Sequence, residues 1–151
     1  MRIALAACLL LGAACDFVPV PLPTATATVH SVRLDLPRGS YCWSSGGKAV
    51  CADSAPADML LDSGYLRPYR TAGGLDVAIA FQSKSQLRSF HVELVKSPQG
   101  TGSVKTTAAR TFPLPAAPGV PAGIYVYMIT SIWPQGDVSF FLPIDLVAGV
   151  A

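Results

Sequence analysis

Gly123–Val147 reads GIYVYMITSIWPQGDVSFFLPIDLV, and its apolar residues recur with a period of two rather than 3.6. In its second half, Val138, Phe140, Leu142, Ile144 and Leu146 fall on one side of an extended chain. Its first half, Gly123 to Trp133, is apolar on both sides, which predicts a strand in the middle of a sheet. Pro134-Gln135-Gly136-Asp137 is turn chemistry. The segment therefore predicts a long antiparallel hairpin. Pro143 falls on its outward side and has no N–H to donate, which suggests an edge position there.

The same rhythm extends toward the N-terminus. Val32, Leu34 and Leu36 alternate with Ser31, Arg33 and Asp35. Leu75–Ser83 places Val77, Ile79 and Phe81 on one face, and Ser89–Ser97 does the same with Phe90, Val92 and Leu94. Ser103–Phe112 is a weaker strand. One short helical turn is expected over Ser54–Ser63, with Ser54 as cap, Pro56 in the first turn, Asp58 at the positive end and Gly64 closing it. Roughly eight short strands with frequent turn signals predict an all-β, antiparallel, immunoglobulin-like β-sandwich.

Ser40–Asp53, SYCWSSGGKAVCAD, adds a second hairpin. Gly46-Gly47 suits a two-residue turn with positive φ at both positions. That turn pairs Ser45 with Lys48, Ser44 with Ala49, Trp43 with Val50 and Cys42 with Cys51. Pairs alternate outward from the turn, so Cys42 and Cys51 form a non-hydrogen-bonded pair, whose side chains approach closely enough for a disulfide. A zinc site would need more ligands than His30 and His91 supply, and a redox dithiol would be spaced CxxC. Alternation further predicts Tyr41, Trp43, Val50 and Ala52 facing the core, with the disulfide on the outer face.

Tyr41–Gly64 (YCWSSGGKAVCADSAPADMLLDSG) and Gly123–Val147 together resemble a family of uncharacterised secreted or lipid-anchored bacterial β-sandwich proteins. That family carries a YCW…C hairpin, a short helical turn and a terminal hairpin of the form GxYxYxxxxxWxxGDxxF. The resemblance implies the fold and the disulfide and brings no activity with it.

The chain opens MRIALAACLLLGAAC, with Arg2, an apolar run from Ile3 to Leu11, and the small residues Gly12-Ala13-Ala14 before Cys15. This is a signal-peptide pattern too short to span a bilayer. The small residues running into a cysteine resemble the lipobox of bacterial lipoproteins, which implies cleavage before Cys15 and lipidation of its thiol. Gly12 departs from that pattern, which prefers Leu. Asp16–Thr28 (DFVPVPLPTATAT) alternates proline with apolar residues and reads as a semi-rigid tether. The expected organisation is a signal peptide at 1–14, a tether at 15–28 and a β-sandwich domain at 29–151.

Only 13% of the residues are charged and the formal net charge is +2, with no basic run, so nucleic acid is not an expected partner. No metal and no cofactor is expected. His91 and Glu93 share a strand face, and Asp53, Asp58 and Asp62 cluster near the helical turn, but neither set has a metal-loop spacing. Tyr125, Tyr127 and Trp133 share one strand face and form a candidate aromatic binding face, with core packing as the competing role. Tyr65-Leu66-Arg67-Pro68-Tyr69-Arg70 interleaves rings and cations. These features point to a noncatalytic lipoprotein of the bacterial cell envelope, held to the membrane by its anchor and acting in binding or structure, with an envelope protein or polysaccharide as the candidate partner. The alternative is a carbohydrate- or cell-wall-binding module using the aromatic face. A small metal-dependent hydrolase is the third reading.

Overall fold

The computed structural model describes residues 19–107, 110–115 and 120–147. The expected signal peptide and Cys15 lie outside them. The described elements are β1 (Thr24–Val29), β2 (Val32–Asp35), β3 (Arg38–Ser45), β4 (Lys48–Ala52), α1 (Ala57–Asp62), β5 (Tyr69–Ala72), β6 (Asp76–Gln82), β7 (Ser89–Ser97), β8 (Gly100–Thr107), β9 (Thr111–Pro113), β10 (Gly123–Trp133) and β11 (Gly136–Val147). They form an all-β sandwich with one short helix. One sheet has the order β2-β1-β6-β9. The larger has the order β4-β3-β11-β10-β7-β8, with β5 pairing on β11. Pairing is antiparallel except for β5 on β11, which is parallel.

β10 and β11 pair without interruption from Trp133↔Gly136 to Gly123↔Leu146. Val138, Phe140, Leu142, Ile144 and Leu146 all enter the core between the sheets, as their alternation predicts. Pro143 is not at a simple edge. Counting outward from the turn, Val126↔Pro143 is a non-hydrogen-bonded pair, so the missing N–H faces away from β10. On that side β3 pairing ends at Phe140 and β5 pairing begins at Ile144. The proline occupies the break between two partners.

Position 136 must approach β3 closely. A Cβ there would stand 1.9 Å from the Cys42 carbonyl oxygen, and φ is +145°. Gly39 is similarly confined, because a Cβ would meet Ser139 Oγ at 2.5 Å. The register shift between Val138 and Phe140 occurs in the strand opposite.

Three expectations change. Thr24–Val29 is not tether but β1, an inner strand between β2 and β6. Its Ala25, Ala27 and Val29 are buried. Small side chains gave TATATV little hydrophobic signal, yet they alternate and let the second sheet approach. The preceding residues are fixed too. The Trp43 indole N–H donates to the Val20 carbonyl (2.8 Å), the Val20 N–H donates to Ser45 Oγ, and Arg38 donates to the Pro23 carbonyl (3.3 Å).

Ser54 does not cap the helix. Pro56 holds the cap position without a side-chain bond, and Ser54 bonds to Ser40 Oγ through its N–H (3.1 Å). Gly64, at φ +74°, does close it. The helix covers the outer face of the larger sheet, where Leu66, Val126 and Phe141 form a small second core joined by Leu60, Leu61 and Met128. A bulge between Val126 and Tyr127 brings Lys96 opposite Val126, and Lys96 forms an ion pair with Asp58.

The third change concerns Ser103–Phe112. It is shared between β8 in the larger sheet and β9 in the smaller one.

Candidate functional site

The glycine turn sets the cysteine geometry. Gly46 and Gly47 have φ of +59° and +74°, and the register runs Ser45↔Lys48, Ser44↔Ala49, Trp43↔Val50 and Cys42↔Cys51. The two sulfurs are bonded, with Cα atoms 4.1 Å apart. Both cysteines are exposed on the outer face, opposite the buried Trp43. Two of their neighbours depart from expectation. Val50 is 55% exposed and Ala52 is exposed, because β4 is an edge strand that the smaller sheet does not cover.

The candidate aromatic face turns inward. Tyr125, Tyr127 and Trp133 are 2–3% exposed. Their rings face the smaller sheet, with Phe112 centred 5.4 Å from Tyr127 and Phe81 6.0 Å from Trp133. The polar atoms of Tyr125 and Trp133 are satisfied within the protein. Tyr125 donates to the Pro121 carbonyl (2.9 Å), and Trp133 donates to Ser131 Oγ (3.0 Å), which donates to the Val138 carbonyl (2.8 Å). Burial, with the neighbouring Tyr125 adding a smaller effect, pushes the Tyr127 phenol up to about 12. Three rings on one strand face make a core as readily as a platform, and the covering sheet decides between them. The set offers no surface on which a sugar could stack.

The histidines and acids do not converge. His30 lies in the turn between β1 and β2 with φ +57°. His91 and Glu93 stand on β7, and Asp58 is engaged by Lys96. No group of three or more metal-ligating side chains occurs among the described residues.

What the structure does assemble is a groove at the break in β11 pairing. It encloses about 360 Å³. Leu34, Leu36, Pro37, Leu142 and Pro143 contribute apolar surface, and Arg33, Asp35, Tyr65, Arg67 and Tyr69 supply rings and charges. The Tyr65–Arg70 stretch forms one side. Leu66 is buried and its N–H donates to the Leu60 carbonyl (3.0 Å), which turns Tyr65 and Arg67 outward. Tyr65 is 51% exposed, yet its hydroxyl donates to the Arg38 carbonyl at 2.9 Å, which fixes the ring. Two guanidinium groups and one carboxylate beside an apolar floor suit a ligand with an apolar body and an anionic group. The interleaving of rings and cations was visible in the sequence. Its partners on β2 and β11 were not, because the groove depends on long-range pairing.

Two further clefts occur. One of about 430 Å³ lies beside α1, lined by residues including Pro56, Val95, Met128 and Phe141. Another of about 280 Å³ lies between Leu22, Tyr41, Trp43, Ser45, Lys48 and Val50. No family model, curated relative or solved structure matches this chain.

Proposed function

We propose that this protein is a lipid-anchored component of the bacterial cell envelope that works by binding rather than by catalysis. The observation that carries the reading is the exposed Cys42–Cys51 disulfide. A solvent-facing disulfide persists in an oxidising, extracytoplasmic compartment, whereas cytosolic reductants would open it. The Gly12-Ala13-Ala14-Cys15 sequence supplies the anchoring signal for that address. Thiol lipidation followed by acylation of the new amino terminus gives the several chains that stable anchoring requires, since one chain alone holds only marginally. The groove beside Tyr65, Arg67 and Tyr69 supports a binding role and is the place where a ligand would be held.

Detergent-phase partitioning of the protein made in a bacterial host tests the anchor. The wild type enters the detergent phase and Cys15→Ser stays in the aqueous phase. Equal aqueous partitioning of both proteins contradicts the anchor.

A further inference from the structure

Val20, bonded to Ser45 and Trp43, lies five residues beyond Cys15, a reach of at most roughly 17 Å when fully extended. A domain lipidated at Cys15 therefore has little freedom to leave the bilayer, and the place where the chain docks decides which end faces it. We propose that the end of the sandwich formed by the Gly46-Gly47 turn, the Pro134-Gln135 turn and the Ser83–Arg88 loop rests on the anionic headgroup surface of the anchoring membrane. The inference rests on lipidation at Cys15.

Hydrogen bonds gather these connections at one end. The Ser44 N–H donates to the Gln135 carbonyl (2.8 Å), Ser85 Oγ donates to Gln135 Oε1 (2.6 Å), and the Arg88 N–H donates to the Ile132 carbonyl (2.9 Å). Val20 reaches the same end through Ser45. The end is cationic. Lys48, Lys84 and Arg88 are exposed there, and Asp137 is the acid that accompanies them in these connections. Arg110 lies nearby over the rings of Phe81 and Phe90, 6.0 and 5.9 Å from their centres. The opposite end, where β6 begins and β11 finishes, carries Asp76 and Asp145, and Asp145 lies 3.9 Å from Arg70, so no cationic excess gathers on these residues.

Beside the entering chain is the small cleft of Leu22, Trp43 and Val50, with Lys48 at its edge. A lysine at the rim of an apolar recess matches the phosphates and glycerol region of a lipid surface, and basic residues close to an anionic bilayer are attracted to it. The Tyr65–Tyr69 groove meets β11 at Leu142 and Pro143, well along the strand from Gly136, and so stands farther from the membrane. The contact would orient that groove toward the compartment.

The test uses full-length lipidated protein in vesicles of phosphatidylglycerol mixed with phosphatidylcholine in equal parts, and the same protein in detergent. A membrane-impermeant amine-reactive reagent reports the labelling rate of each lysine by peptide mass spectrometry. Lys48 and Lys84 are expected to react about fivefold or more slowly on vesicles, because headgroups cover them. Lys96, beside α1, should change little. Vesicles of phosphatidylcholine alone should give clearly weaker protection, and equal protection there overturns the assignment to anionic headgroups.

Intact mass and flotation report the anchor separately. Lipidated, floating protein whose Lys48 and Lys84 react as fast as in detergent overturns the proposed contact and leaves the anchor standing. Protein that carries no lipid and does not float overturns both.

Discussion

The two hairpins of the larger sheet reach a fixed structure by different routes. β10–β11 pairs over eleven positions and buries side chains on both faces, inward against the smaller sheet and outward beneath α1. β3–β4 pairs over five positions, and every residue of β4 is exposed. Burial holds the first. The second has little apolar area on its outer strand and depends on the Gly-Gly turn, the Cys42–Cys51 bond and the docking of β3 on β11. An edge strand that cannot bury its side chains needs another constraint, and a covalent bond across a short hairpin is one that an oxidising compartment supplies.

Substitutions can sharpen or break this contrast. Phe140→Ala removes a ring that is 1% exposed at the centre of the core and should cost about 3–5 kcal/mol in chemical denaturation. A loss below about 1 kcal/mol would mean that burial does not hold the hairpin. Gly136→Ala should cost about 3 kcal/mol, because its new methyl group meets the Cys42 carbonyl where the hairpins join. The damage should reach β3, seen as faster amide exchange at Ser44, whose N–H bonds to Gln135 beside the substituted residue. Replacing Cys42 and Cys51 together by serine should cost about 2–3 kcal/mol, the range expected for a short closed loop. Exchange should quicken in β4 while β10 remains protected. Uniform loosening of both strands would contradict the division.

Alkaline titration probes the buried side of β10. Burial favours the neutral phenol of Tyr127, whose value is raised from 10.0 to about 12. A group with a raised value in the folded state contributes stability in full below its unfolded value and loses it as pH rises through the folded one. Stability should therefore fall as pH rises from about 10 to 12, with no pH dependence from this source near neutrality, where the contribution is fully present. Ultraviolet titration should show the Tyr127 phenol ionising late, at about pH 12. The smallest effect is expected at Val50, where Val50→Ala should change stability by no more than about 0.5 kcal/mol, since the side chain is more than half exposed.

Alternation told which residues share a face but not which face would be covered. It placed β7 at Ser89–Ser97 and β10 at Gly123–Trp133, and it placed the cysteines opposite one another, because long apolar periods and a glycine turn are local signals. It missed β5, a strand of four residues that exists through parallel pairing with β11. It also missed β1, whose alanines carry little hydrophobic signal although they pack as core. The same limit explains the site. For Tyr125, Tyr127 and Trp133 the sequence favours core over platform, and the placing of Phe81 and Phe112 above them decides it. Conversely, the Tyr65–Arg70 stretch acquires a groove only when β2 and the Pro143 break are beside it.

The most direct test of the envelope assignment is the intact mass of protein extracted from bacterial membranes, measured before and after reduction. The account predicts a chain beginning at Cys15 and carrying acyl groups, which gains the hydrogens of one opened disulfide on reduction. An unlipidated chain, or one whose mass is unchanged by reduction, would contradict it.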